Sequence, residues 1–115
     1  MSRVCDVSEV PNESLKKFTV DGKEICVGKH NGKLFACENM CPHRFASMDK
    51  GWFDGDNVVC HIHYFQFSID TGKLEKIDEK WKEQSAAWKK SDDLTMYDVE
   101  VKDDEIFLEP RRKII

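Results

Sequence analysis

Short segments with strand-like patterning alternate with turn signals along most of this chain. Leu15 to Val20 and Lys23 to Val27 flank Asp21-Gly22, and Lys23 to Lys29 and Lys33 to Cys37 flank His30-Asn31-Gly32. Turn residues at these spacings predict a three-stranded meander, with His30 read simply as a turn residue. A second group of strands follows. Val58-Val59 leads into Cys60, and Phe65, Phe67 and Ile69 alternate with Gln66 and Ser68 before the Thr71-Gly72 turn, which places the three apolar side chains on one face. Met96 to Val101 and Glu105 to Glu109 bracket Lys102-Asp103-Asp104 as a closing hairpin. The pattern predicts an all-β protein. One stretch departs from it: Lys73 to Leu94 is charged, lacks Pro and Gly, and sets Leu74, Ile77, Trp81 and Trp88 at helical spacings. This predicts a short helix-like insertion near residues 76–90, with Trp81 and Trp88 packed on the domain's own sheet.

A length of 115 residues corresponds to one domain, 1–115, with a modest core. Charged residues make up 35% of the chain, 22 acidic against 18 basic, for a net charge of −4. An acidic surface argues against nucleic acid and suits steering towards a basic patch on a protein partner. The N-terminus has no apolar run resembling a signal peptide, and eighteen consecutive apolar residues occur nowhere, so the expectation is a soluble, cytoplasmic protein without a membrane span.

The candidate chemistry lies between residues 41 and 63. Cys41-Pro42-His43 is followed, after sixteen intervening residues, by Cys60-His61-Ile62-His63. Each short pair offers one thiolate and one imidazole, so Cys41 and Cys60 can share one iron while His43 and His63 share another. That is mixed ligation of a [2Fe–2S] cluster. With neutral imidazoles the oxidised centre carries no net charge, where four thiolates would leave it dianionic. Reduction is correspondingly easier, and the potential rises from about −400 mV into a window of about −150 to +300 mV. The competing reading is a zinc site, a zinc-binding interaction module, made from the same residues. Zinc fingers usually pair Cys with Cys and His with His, whereas here each pair is mixed. Cys5, Cys26 and Cys37 remain, an odd number that describes no disulfide framework and predicts free thiols in strands. Cys37 stands four residues before Cys41.

Cys41-x-His43 and Cys60-x-x-His63 resemble the Rieske signature. The order of strands, ligand loops and strands is similar to that family as well. The resemblance implies a Rieske-like antiparallel β-sandwich with an inserted cluster-binding subdomain at about residues 39–69, holding one [2Fe–2S] cluster on Cys41, His43, Cys60 and His63. Three departures stand out. Family members commonly carry Pro after the second ligand cysteine and Gly after the second ligand histidine, where this chain has His61, read as a surface side chain, and Tyr64. The proline-containing cover loop of the family is replaced by the 73–94 segment. High-potential members join their ligand loops by a disulfide at positions held here by Ala46 and Ile62, and donate hydroxyl hydrogen bonds from positions held here by Phe65 and Phe67. Fewer donors stabilise a reduced cluster less, so the resemblance is to a soluble, low-potential Rieske-type ferredoxin.

The implied function is one-electron carriage from a reductase to a terminal oxygenase or similar acceptor, an electron-transfer component rather than a complete enzyme. The alternative is a small redox subunit held in a larger enzyme, such as an assimilatory nitrite reductase.

Overall fold

The computed structural model describes residues 2–40, 47–61, 64–76 and 93–110. Among these residues ten strands, β1 (Ser2–Asp6), β2 (Ser14–Val20), β3 (Lys23–His30), β4 (Lys33–Glu38), β5 (Trp52–Asp54), β6 (Asn57–Val59), β7 (Gln66–Ser68), β8 (Leu74–Lys76), β9 (Met96–Lys102) and β10 (Glu105–Pro110), form two antiparallel sheets. The larger has the order β1-β10-β9-β4-β3-β2 and the smaller β5-β6-β7-β8. The expected all-β class and all three hairpins are present. Asp21-Gly22 and Asn31-Gly32 adopt positive φ at both central positions (51° and 80°, 50° and 79°), the two-residue turn whose twist matches the strands it joins. The closing hairpin turns through Asp103-Asp104.

The edge strands β1 and β2 of the large sheet come into contact, so the sheet rolls on itself. Cys5, Val10, Ile25, Val27, Ala36, Ile106 and Leu108 fill one apolar cluster. A second cluster joins the large sheet to the small one: Cys26, Phe35, Cys37 and Met96 meet Val58, Cys60, Phe65 and Phe67. Strand β3 serves both, which explains its unbroken buried run Ile25-Cys26-Val27-Gly28. Phe65, Phe67 and Ile69 share the buried face predicted for them, at 1%, 0% and 3% exposure.

Strands β5 to β8 fall in sequence between β4 and β9, yet β4 and β9 are neighbours. The small sheet is therefore an excursion from one edge of that pair. An ion pair and a ring stack fasten it to the β3–β4 hairpin. Lys33 pairs with Asp70, and His30 stacks on Phe53 (ring centroids 4.7 Å apart) while its Nδ1 lies 2.7 Å from Glu13 Oε2. His30 is thus the last residue of β3 and an anchor between sheets, not merely a turn residue. The Asn31 N–H and His30 together hold the Glu13 carboxyl below the usual carboxylate range.

Part of the predicted helix is a strand. Leu74–Lys76 pairs with β7, Leu74 opposite Phe67, because the ladder of β7 offers backbone partners that helical periodicity does not anticipate. Residues 77–92, with Ile77, Trp81 and Trp88 and nearly all of the insertion predicted near 76–90, lie outside the described residues. The base of that stretch is closed by Leu74 N–H donating to Asp93 Oδ1 (3.0 Å) and Leu94 N–H donating to the Gly72 carbonyl (2.8 Å). Among the described residues no helix is long and apolar enough to cross a membrane.

Candidate metal centre

Of the four predicted ligands, Cys60 lies among the described residues; Cys41, His43 and His63 lie outside them. What the structure shows is how the two segments that carry them are held.

The first segment leaves β4 at Glu38 and returns at the 3-10 turn Met48–Lys50. Asn39 Nδ2 donates to Asp49 Oδ1 and Asp49 N–H donates to Asn39 Oδ1, both at 2.9 Å. This reciprocal pair fastens the two ends of the stretch that contains Cys41 and His43. Asn39 is itself 4% exposed, and its own N–H donates to the Glu24 carbonyl on β3 (3.0 Å). Sequence reading missed it: a lone Asn before the motif gives no periodic or turn signal, and its partner stands ten residues on.

The second segment runs from the end of β6 to the start of β7. Cys60 N–H donates to the Phe65 carbonyl at 2.8 Å and closes the loop that carries His63. The turn is made by Tyr64, which sits at φ +58°. That is the left-handed conformation a glycine would take here without strain. The Tyr64 ring lies against Trp52, centroids 5.7 Å apart, a contact that offsets part of the conformational cost. Tyr64→Val should therefore destabilise the protein by about 1–3 kcal/mol, a branched side chain having neither the contact nor the conformation, while Tyr64→Gly should change little. Urea midpoints compare the two; equal stability of the valine variant and the parent would contradict this account of the loop.

The Cys60 side chain is fully buried, next to Cys26, Cys37, Phe65 and Phe67 in one apolar cluster. An anionic thiolate in such surroundings needs a metal ion's positive charge, and the apolar shell keeps water away. His61 differs from its expected surface placement. It is half-buried, and its Nδ1 is buried with no hydrogen-bond partner among the described residues. A buried thiol and an unpaired nitrogen side by side fit a cofactor rich in anionic sulfur.

The remaining cysteines are free thiols in strands, as expected. The Cys26 thiol is pushed well up by a hydrogen bond with Cys37, opposite it on β4, and by burial; Cys5 is pushed up to about 11, chiefly by burial. Both are raised above the ordinary thiol value and are neutral at neutral pH.

The chain matches the family model of the Rieske [2Fe-2S] domain over residues 1–90. It is 32% identical over 65 residues to the ferredoxin component of the naphthalene 1,2-dioxygenase system of Pseudomonas aeruginosa, a match spanning 56% of this chain and 62% of that protein. A wider match, 31% over 108 residues, covers 91% of this chain and 90% of the 3-phenylpropionate/cinnamic acid dioxygenase ferredoxin subunit of Photorhabdus laumondii. The backbone superposes on the ferredoxin of carbazole 1,9a-dioxygenase from Nocardioides aromaticivorans with a TM-score of 0.76 at 25% identity, covering 95% and 96% of the two chains. The sheets, the two fastened loops and the family match, which spans well over half of the sequence, agree: the chain belongs to the Rieske [2Fe-2S] domain family.

Proposed function

We propose that this chain is a one-electron carrier of the cytoplasm, taking electrons from a reductase and delivering them to a terminal oxygenase or similar acceptor. Its single domain, 1–115, holds the cluster in a subdomain at about residues 39–69, with Cys41 and Cys60 on one iron and His43 and His63 on the other. The observation that carries this reading is the pair of loops. Each bears one Cys and one His at the family's spacing, and hydrogen bonds at 2.8–2.9 Å fasten the ends of both. The ferredoxin components among its relatives support the carrier role.

When bound, the cluster supplies reversible exchange of one electron. The protein's part is to hold the ligands in fixed positions, so that little rearrangement accompanies the change of charge, and to set the potential. Phe65 and Phe67 are buried where high-potential members offer hydroxyl donors, and they add no hydrogen bond to the sulfurs. The potential is accordingly expected near the bottom of the family's window, about −150 mV at neutral pH. Voltammetry of the purified protein, paired with reduction by an oxygenase-type reductase and NADH, tests both halves of the proposal. A potential above about +100 mV would contradict the hydrogen-bond reasoning. Co-elution of the native protein in a stable larger enzyme would replace the diffusible carrier by a resident subunit.

A further inference from the structure

We propose that the imidazole Nδ1–H of His61 donates a hydrogen bond to an anionic sulfur of the bound cluster or its thiolates. The inference rests on the ligand assignment above and goes beyond it, since His61 replaces the proline that family members commonly carry and belongs to no ligand pattern.

The argument starts from an unpaired atom. His61 Nδ1 is buried and has no hydrogen-bond partner among the described residues. A buried polar nitrogen left unpaired costs stability, and native proteins seldom tolerate one without a partner that arrives later. The residue lies in the loop between Cys60, whose side chain is fully buried, and Tyr64, which makes the turn. What enters this loop on cluster binding is sulfur carrying negative charge, an acceptor that a neutral imidazole with its proton on Nδ1 can serve.

The neighbouring donors are engaged elsewhere or missing. Cys60 N–H is committed to the Phe65 carbonyl, and Gln66 Nε2 is directed to Asp54 Oδ2. The Phe65 and Phe67 side chains have no polar atom. The Ser68 hydroxyl oxygen faces the N–H groups of Asp70 and Thr71, and the Tyr64 ring leans outward on Trp52. Among these described side chains His61 is the one placed to supply the hydrogen bond that the two phenylalanines cannot. A donor to sulfur stabilises the reduced cluster, which is the more negative form, so it raises the potential and partly offsets the loss of the hydroxyls.

The test compares His61→Leu, which removes the donor, with His61→Asn, whose side-chain amide nitrogen can occupy the position of Nδ1. His61→Pro, the residue common in the family, gives a second donor-free protein should the leucine variant fold or load poorly. Each is purified with its cluster and checked for iron and sulfide. The reduction potential is measured by protein-film voltammetry, and the reduced state is measured by pulsed EPR in water and in deuterium oxide. His61→Leu and His61→Pro should lower the potential and lose one strongly coupled exchangeable proton, and His61→Asn should restore both. Unchanged potential and unchanged proton couplings in loaded His61→Leu or His61→Pro would overturn the proposal. Should the parent protein lack two histidine nitrogens coupled to the reduced centre, the ligand assignment itself is at fault, an outcome distinct from failure of the donor role.

Discussion

Asn39→Ala should loosen the first ligand loop and cost the protein roughly 2–4 kcal/mol together with much of its bound iron. The substitution removes both halves of the Asn39–Asp49 pair. It strands the Asp49 N–H and one carboxylate oxygen in a partly buried position. Leaving a buried donor unpaired costs about 1–3 kcal/mol, and more where a charged group is involved, while the direct hydrogen bonds are worth about 1 kcal/mol each. These contributions overlap, hence the intermediate figure. A domain of this size has only about 5–15 kcal/mol of stability in total, so the change is a large fraction of it. The melting temperature should fall by about 10–20 °C. Iron retained through gel filtration should fall with it, because Asn39 and Asp49 mark the two ends of the stretch containing Cys41 and His43. Asn39→Asp should be worse than Asn39→Ala, since it sets a second carboxylate against Asp49. A full complement of iron and a melting temperature within about 2 °C of the parent would show that the pair is ornamental.

The other large effect is steric. A Cβ placed on Gly51 would stand 2.0 Å from the Val59 carbonyl oxygen and 3.3 Å from that of Met48. Backbone on both sides leaves no flexible side chain to swing away. The φ of Gly51 is −83°, which any residue adopts, so the requirement for glycine here is close approach and nothing else. Trp52 pairs with Val59, and Val59 immediately precedes Cys60. A methyl at Gly51 must therefore push the end of β6, where Cys60, the second proposed ligand cysteine, emerges, away from the returning first loop. Gly51→Ala should cost about 3 kcal/mol or more and impair cluster loading. Gly22→Ala is the control. There the Cβ meets nothing within 4 Å, and the cost is only that of holding φ near +80°, about 1 kcal/mol. Urea midpoints for the two should differ clearly; equal values would contradict the packing described at β5 and β6.

The parts of this fold that were legible in the sequence are those fixed by neighbours in the chain. Asp21-Gly22 and Asn31-Gly32 specify their turns through residues that accept positive φ, and the strands on either side follow. The burial of Phe65, Phe67 and Ile69 follows from a period of two. Strands β1 and β5 were not anticipated, because each is short and owes its pairing to a distant or closely packed partner: β10 across the whole chain for one, β6 beside Gly51 for the other. Leu74 sat at a helical spacing from Ile77 and Trp81, but the vacant edge of β7 took it into a ladder.

The candidate site divides in the same way. The ligand types and their spacing could be read directly, since mixed Cys/His pairs have few chemical uses. The devices that hold the loops could not. Asn39 meets Asp49 only once β4 and the 3-10 turn have formed, and Tyr64 keeps a glycine's backbone conformation because Trp52, twelve residues away, supports its ring. His61 was expected at the surface on residue type alone; its buried Nδ1 is a consequence of the loop closed by Cys60 and Phe65.

The claim on which the account rests is the cofactor and its four ligands, and metal and sulfide analysis with EPR tests it most directly. The purified protein should be red-brown, contain two irons and two acid-labile sulfides per chain, and on reduction give a signal coupled to two histidine nitrogens. Cys41→Ser, His43→Ala, Cys60→Ser and His63→Ala should each abolish or severely reduce loading. A colourless protein containing one zinc and no sulfide, or a cluster that survives loss of any one of the four side chains unaltered, would contradict it.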